Sequence, residues 1–341
     1  MSIRFPCFVL IIVPLLAGCA GDSVDAAFEQ YLQRLGRTLA VEIEPPLAGI
    51  NVPRLPRSGQ LRLPVGTDKL GTLDFLDLRG CALQTTIGKA NSSLGRLARD
   101  SQKLLLALEF LRLAPDCIAL LRTKDETELA ATLARALADK RAQLPALVFN
   151  ATLAGEEYAA LWRPGKLQPR YPDNTSSAVI TALEEVSAAT RRWLAADYRA
   201  DNMAFELQLS AIAAGDGGQL WKALAHQGQW LAKADETVQQ KLQRGPLCPP
   251  ERRPEAAEIL PNVIEKFFIR GIQPRAAVLG RRYHQLMPPV TQLENALASA
   301  LPQPYIDWSQ QRDQALALLS QRPREHVTQL QQLLSSCEKN P

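Results

Sequence analysis

Apolar residues recur three and four apart over long stretches of this chain, and prolines gather in the gaps between them. The spacing is that of one face of an α-helix. Proline withholds the backbone donor that a helix interior or a central strand needs. Clear period-two alternation is missing. The pattern restricts the chain to an all-α fold of antiparallel helical hairpins, a bundle with proline-rich, irregular connections. An aromatic content of 6% suits Ala/Leu-rich helices better than a sheet sandwich.

Phe28, Tyr31, Leu32, Leu35 and Leu39 set a first helix over 28–40. Residues 41–72 carry prolines at 45, 46, 53, 56 and 64 and are expected to form an irregular arm with a short strand at Leu61–Leu63. Residues 73–97 and 101–116 read as helices that turn at Arg99-Asp100-Ser101, with Asp100 as a helix cap. The next helix begins at Asp125 or Thr127 and ends near Pro145. Loop 163–174 holds three prolines and a glycine and is the expected seam between helical regions 73–162 and 175–341. One long helix is expected from Ser176 to about Ala214. It stops at Gly215-Asp216-Gly217-Gly218 and pairs antiparallel with the following helix, where Leu224, Leu231 and Val238 recur. Shorter helices are expected over 262–270, 276–300, 304–320 and 324–337.

The first residues carry an address. Arg4 precedes an apolar run from Phe8 to Leu16 and then Ala17 and Gly18, the layout of a secretory signal over residues 1–18. That run is shorter than the ~20 apolar residues a membrane-crossing helix needs. Leu16-Ala17-Gly18-Cys19 is similar to the lipobox of bacterial lipoproteins, in which the cysteine thiol receives fatty acyl chains of the palmitate class. The resemblance implies cleavage before Cys19, and a lipid anchor on that residue would hold the protein firmly to a membrane. Ala20 in place of an aspartate implies the outer membrane, with the body facing the periplasm. Residues 19–72 then comprise the anchor, the short helix and the proline-rich arm.

Cys81, Cys117, Cys248 and Cys337 remain. An even number in an oxidising compartment favours two disulfides. A hairpin turning near residue 99 brings positions 81 and 117 level, so Cys81–Cys117 with Cys248–Cys337 is the preferred pairing of the three possible. Metal binding is disfavoured by the lack of CxxC spacing and of a histidine pair.

A net charge of +4, or +3 without residues 1–18 and their Arg4, is too small and dispersed for a nucleic-acid partner. Asn91-Ser92-Ser93-Leu94-Gly95 is the most unusual local string, either a polar nest for a ligand or a packing kink. A serine nucleophile there needs a nearby base, and His226, His284 and His326 show no catalytic or metal spacing. Glu156-Glu157 and Glu184-Glu185 point in divergent directions on helices and make poor acid/base pairs. Arg281-Arg282-Tyr283-His284 reads as solvated arginines beside a half-buried tyrosine. Trp162 and Arg163 stand at the expected seam and are candidates for a surface role. The N-x-S/T matches at Asn91, Asn150 and Asn174 read as chance. No cofactor motif is present.

Several strings together resemble the DUF3080 family of uncharacterised gammaproteobacterial lipoproteins. They are Leu73-Asp74-Phe75-Leu76-Asp77-Leu78 with Cys81-Ala82-Leu83-Gln84, the Asn91–Gly95 string, Glu109-Phe110-Leu111, Ala114-Pro115-Asp116-Cys117 and Phe149-Asn150-Ala151-Thr152. The chain departs from the family pattern at Ala90 and Leu108. The resemblance implies a helical envelope lipoprotein, favours the Cys81–Cys117 pairing and supplies no activity. Two functional expectations stand. The first is a non-enzymatic, membrane-anchored binding or scaffolding component that engages an envelope protein or lipid. The second is a periplasmic hydrolase or ligand-binding protein with a cleft near Asn91–Ser93 or Trp162–Tyr171.

Overall fold

A computed structural model describes residues 25–46, 49–66, 78–173, 175–250 and 252–338. Cys19, Asn174 and the 73–77 part of the first family string lie outside these residues. The described residues form eleven helices of six or more residues and no strand. They are α1 Ala26–Leu39, α2 Leu83–Asn91, α3 Asp100–Thr123, α4 Thr127–Ala151, α5 Glu156–Leu161, α6 Ala178–Leu194, α7 Asn202–Ala213, α8 Gly217–Gln243, α9 Glu255–Val263, α10 Gln273–Ala296 and α11 Gln303–Glu338. A π turn, Ile264–Ile269, continues α9.

The α3–α4 hairpin is the most extensive helix pair. Its connection places Asp125 at φ 61°, a left-handed residue that reverses the chain. α2 lies along α3, and the Cys81–Cys117 disulfide joins them with a Cα–Cα distance of 5.4 Å. Cys248 bonds Cys337 at 4.9 Å between Cα atoms, so both preferred pairings are those of the structure.

Three expectations about helices are corrected. The stretch from Ser176 to Ala214 is two helices. Ala196 turns left-handed at φ 70° and closes α6, and the Asp201 side chain accepts the Ala204 N–H at 2.8 Å to start α7. Trp193 and Phe205 pack edge to face at 5.4 Å across the turn. α7 therefore folds back on α6 and α5, while α8 runs chiefly along α11. Second, α11 is one helix of 36 residues, ~54 Å long, rather than two pieces divided at Pro323. Leu316 before the proline and His326, Leu330 and Leu333 after it are all buried; this packing spans the missing hydrogen bond. Third, Leu61 ends a single helical turn, Ser58–Leu61, and no strand forms there.

The apolar interior has two parts. A large core takes in α2 to α7, α10 and the first halves of α8 and α11. A small core joins α1, α9, the π turn and the second halves of α8 and α11. Loop 163–174 does not divide them, because residues on both its sides enter the large core. The division runs across α8 and α11. Beside the loop, a β-carbon on Gly218 would meet the Arg163 carbonyl oxygen at 2.4 Å, so only glycine lets α8 begin against Trp162–Arg163.

Candidate functional site

The cleft with the largest claim to function has a volume of about 840 Å³, within the ~300–1,000 Å³ usual for small-molecule sites. Its walls are the Arg62–Gly66 segment, the end of α2 with the turn after it, α3 and α4. Lys103, Ala107 and Phe110 sit at i, i+4 and i+7 on α3, so one helical face enters the cleft. Lys140, Leu147 and Asn150 come from α4.

Asn150 builds the wall opposite α3. It is 3% exposed. Its Oδ1 accepts the Leu63 N–H at 2.8 Å, and its Nδ2 donates to the Leu63 carbonyl at 2.9 Å. One side-chain amide thus does for the extended backbone at Leu63 what a neighbouring strand would do. Arg62, next to it, pairs with Asp100 on α3. Asp100 is consequently the first residue of α3, with Arg99 in the cap position, and its carboxylate serves the ion pair.

Asn91 lines this cleft, and Ser92 and Ser93 do not. Ser92 Oγ accepts the Gly95 N–H at 3.0 Å and donates to the Lys89 carbonyl at 2.7 Å. It caps the short turn Ser93–Arg96 and is a kink residue rather than a nucleophile. A β-carbon at Gly95 would lie 2.1 Å from the Lys89 carbonyl oxygen, so the turn requires glycine. Ser93 is exposed. Among the described residues the cleft lining holds no serine, cysteine or histidine.

The second candidate region is structural. Trp162 is buried rather than on the surface. The Arg312 guanidinium lies 4.9 Å from the centroids of both Trp162 and Trp308 and donates to Glu294 through two bonds of 2.8 and 2.9 Å. Tyr305 donates to the same carboxylate at 2.6 Å, with Tyr158 at 3.3 Å. Burial and the Glu294 charge hold the Tyr158 hydroxyl well above its ordinary range. Arg163 is exposed. Tyr171 is buried and donates to Asp216 at 2.7 Å. Arg282, expected in solvent, is buried and pairs with Asp216, its Nε at 3.0 Å, and with the Ser176 carbonyl at 3.1 Å. These bonds stitch loop 163–174 to α8 and α10.

Two of the histidines tie the elements of the small core to one another. His326 Nδ1 lies 2.6 Å from Asp235 and Nε2 2.6 Å from the Tyr31 hydroxyl. The order carboxylate, imidazole, hydroxyl is that of an acid–base relay. Here His326 is fully buried and Tyr31 nearly so, and burial with the Asp235 charge pushes the Tyr31 hydroxyl up. That makes the oxygen a poorer nucleophile with no route to a substrate, and the chain of bonds pins α1 to α8 and α11. His226 Nε2 lies 2.5 Å from Asp25, and Trp230 donates to the same oxygen at 3.2 Å. No group of three or more metal-ligating side chains occurs among the described residues.

The cleft residues that sequence reasoning missed are Arg62, Arg96, Lys103, Lys140 and Asn150. The spacing of Lys103, Ala107 and Phe110 was the available signal.

Neither curated proteins nor solved structures yield a match to the chain. The family model described as a protein of unknown function, DUF3080, matches residues 28–341. The chain belongs to the DUF3080 family.

Proposed function

We propose that this protein is a lipid-anchored component of the outer membrane that binds a ligand on the periplasmic side without transforming it. The observation that carries the binding role is the 840 Å³ cleft bordered by Asn91. Its mixture of apolar wall and a few polar groups is what small-molecule sites have. The described lining holds no serine, cysteine or histidine, and its one carboxylate, Asp100, is engaged by Arg62. The anchor rests on Leu16-Ala17-Gly18-Cys19 following an apolar run. No helix among the described residues is long and apolar enough to cross a membrane. Two disulfides are consistent with an oxidising compartment.

Labelling cells with an alkyne-bearing palmitate tests the anchor. The expected product begins at an acylated Cys19 and sediments with membranes, and Cys19→Ser releases the label. An unlabelled, soluble product would refute it. For the cleft, the whole protein extracted from membranes should carry a bound small molecule that is lost on Leu106→Trp, which fills the space. A melting temperature indifferent to all candidate ligands would refute binding.

A scaffolding role has its own support: Met203 and Leu207, one turn apart on α7, are 74% and 65% exposed. Crosslinking in living cells followed by mass spectrometry tests it. A stoichiometric envelope protein bonded to α7 is the expected result, and a clean monomer the refuting one.

A further inference from the structure

We infer that the cleft takes a single-chain anionic amphiphile, of the fatty-acid or lysophospholipid class, with its chain along α3 and its charged end toward Lys103 and Arg96. The inference rests on the cleft being the ligand site proposed above.

Three observations lead there. The lining carries four cations, Arg62, Arg96, Lys103 and Lys140, against the single carboxylate of Asp100, a surplus of three positive charges. Asp100 is already bonded to Arg62, and Lys140 has an interaction partner of its own. Arg96 and Lys103 enter no ion pair among the described residues, Arg96 donating to the Asn91 carbonyl at 2.9 Å, so they are the cations available to a ligand. Second, polarity changes along the α3 face. Lys103 is half-buried, while Ala107 and Phe110 are buried. From Lys103 to Phe110 the helix rises ~10 Å, room for an extended segment of acyl chain below a charged head. Leu63, Ile87 and Leu147 complete an apolar wall. Third, exposed leucines stand beside the cleft residues in sequence. Leu94 and Leu97 flank the lining residues Gly95 and Arg96 and are 84% and 87% exposed. A water-soluble anion has no use for exposed leucines beside the site or for a buried apolar end. A nucleotide would want stacking partners, and Phe110 is the one aromatic residue of the described lining.

The test uses the whole protein in isolated membranes and three diazirine-bearing probes: palmitate, lysophosphatidylglycerol and the uncharged methyl ester of palmitate. After photolysis the modified peptides are mapped. Label on α3 and α4 from one or both anionic probes, at least fivefold above the methyl ester, is the expected result. Comparing palmitate with lysophosphatidylglycerol tells a carboxylate head from a phosphate one. Lys103→Glu and Leu106→Trp, both at half-buried positions, should each cut that label at least fivefold, and Lys103→Arg should retain it. Melting curves on each variant report folding, and the probe comparison on the unaltered protein stands without them. Equal labelling by the methyl ester overturns the anionic requirement, and no label on α3 or α4 overturns the amphiphile. In that event a panel of water-soluble glycans and peptides separates the two levels. A thermal shift abolished by Leu106→Trp keeps the cleft as a ligand site of another class, and no shift at all removes the site as well.

Discussion

The large and small cores share α8 and α11, yet they bury polarity in different ways. In the large core the central charge is an arginine, Arg312, clamped on Glu294 between two tryptophan faces. In the small core carboxylates meet histidines, Asp235 with His326 in the interior and a half-exposed Asp25 with His226 at its edge. Arginine keeps its charge at any accessible pH and histidine does not. One protein therefore contains a core organised by an ion pair of fixed charge and a core with one contact, His226 with Asp25, that depends on protons. The covalent bracing differs too. The large core is closed by a bond across a separation of 36 residues and the small core by one across 89.

The sharpest way to break this contrast is Arg312→Met. Removing one partner of a buried pair strands the other, at about 3–5 kcal/mol. Urea unfolding should show that loss, and the double change Arg312→Met with Glu294→Leu should recover most of it. A loss below about 1 kcal/mol would mean the pair is not what organises the large core.

Next comes the disulfide comparison. Replacing Cys248 and Cys337 by serine should cost roughly 2–4 kcal/mol, and by chain entropy ~0.8 kcal/mol more than replacing Cys81 and Cys117. Hydrogen exchange distinguishes the cores: amides of α1 and α9 should lose protection while α3 and α4 keep theirs. Uniform loss would show that the small core has no separate stability.

Asn150→Ala should cost about 2 kcal/mol, two hydrogen bonds at ~1 kcal/mol each, with the increased exchange confined to residues near Leu63. An unchanged Leu63 amide would refute the wall built by that side chain.

The smallest effect is the one that tests the proton dependence. Burial lowers the His226 pKa below its ordinary 6.5, Asp25 opposes this without overturning it, and Arg275 adds to it. With the folded value depressed, the unfolded chain takes up the proton first. Stability falls as pH drops through 6.5 toward the depressed value and levels off beneath it. Melting curves should show that fall in the unaltered protein and a reduced one in His226→Gln. Identical pH profiles would refute the assignment.

The long periodic helices were legible because their apolar faces repeat without tertiary help. α3, α4 and α8 begin where spacing put them, although α3 and α4 run on through Pro115 and Pro145 to Thr123 and Ala151. The break between α6 and α7 was not, because Ala196 supplies a left-handed cap that its side chain does not advertise. Asp201-Asn202 was the cue that could have been read as a helix start. Pro323 was overread, since a proline ends a helix in isolation while burial on both sides carries this one through. Asn91 lies in the lining of the cleft. The wall opposite it was hidden, because Arg62 meets Asp100 across 38 positions and Leu63 meets Asn150 across 87. Trp162 looked like a surface residue for lack of the partners, Trp308 and Arg312, that come from the far end of the chain.

The Cys248–Cys337 bond has a mechanical consequence. It closes a covalent ring that contains α9, α10 and nearly all of α11. A machine pulling the chain from beyond Cys337 cannot draw α11 out one residue at a time. It meets the bond first and must then drag three strands through its pore together, the two arms of the ring and the segment that precedes Cys248, so threading stalls until the sulfurs are reduced.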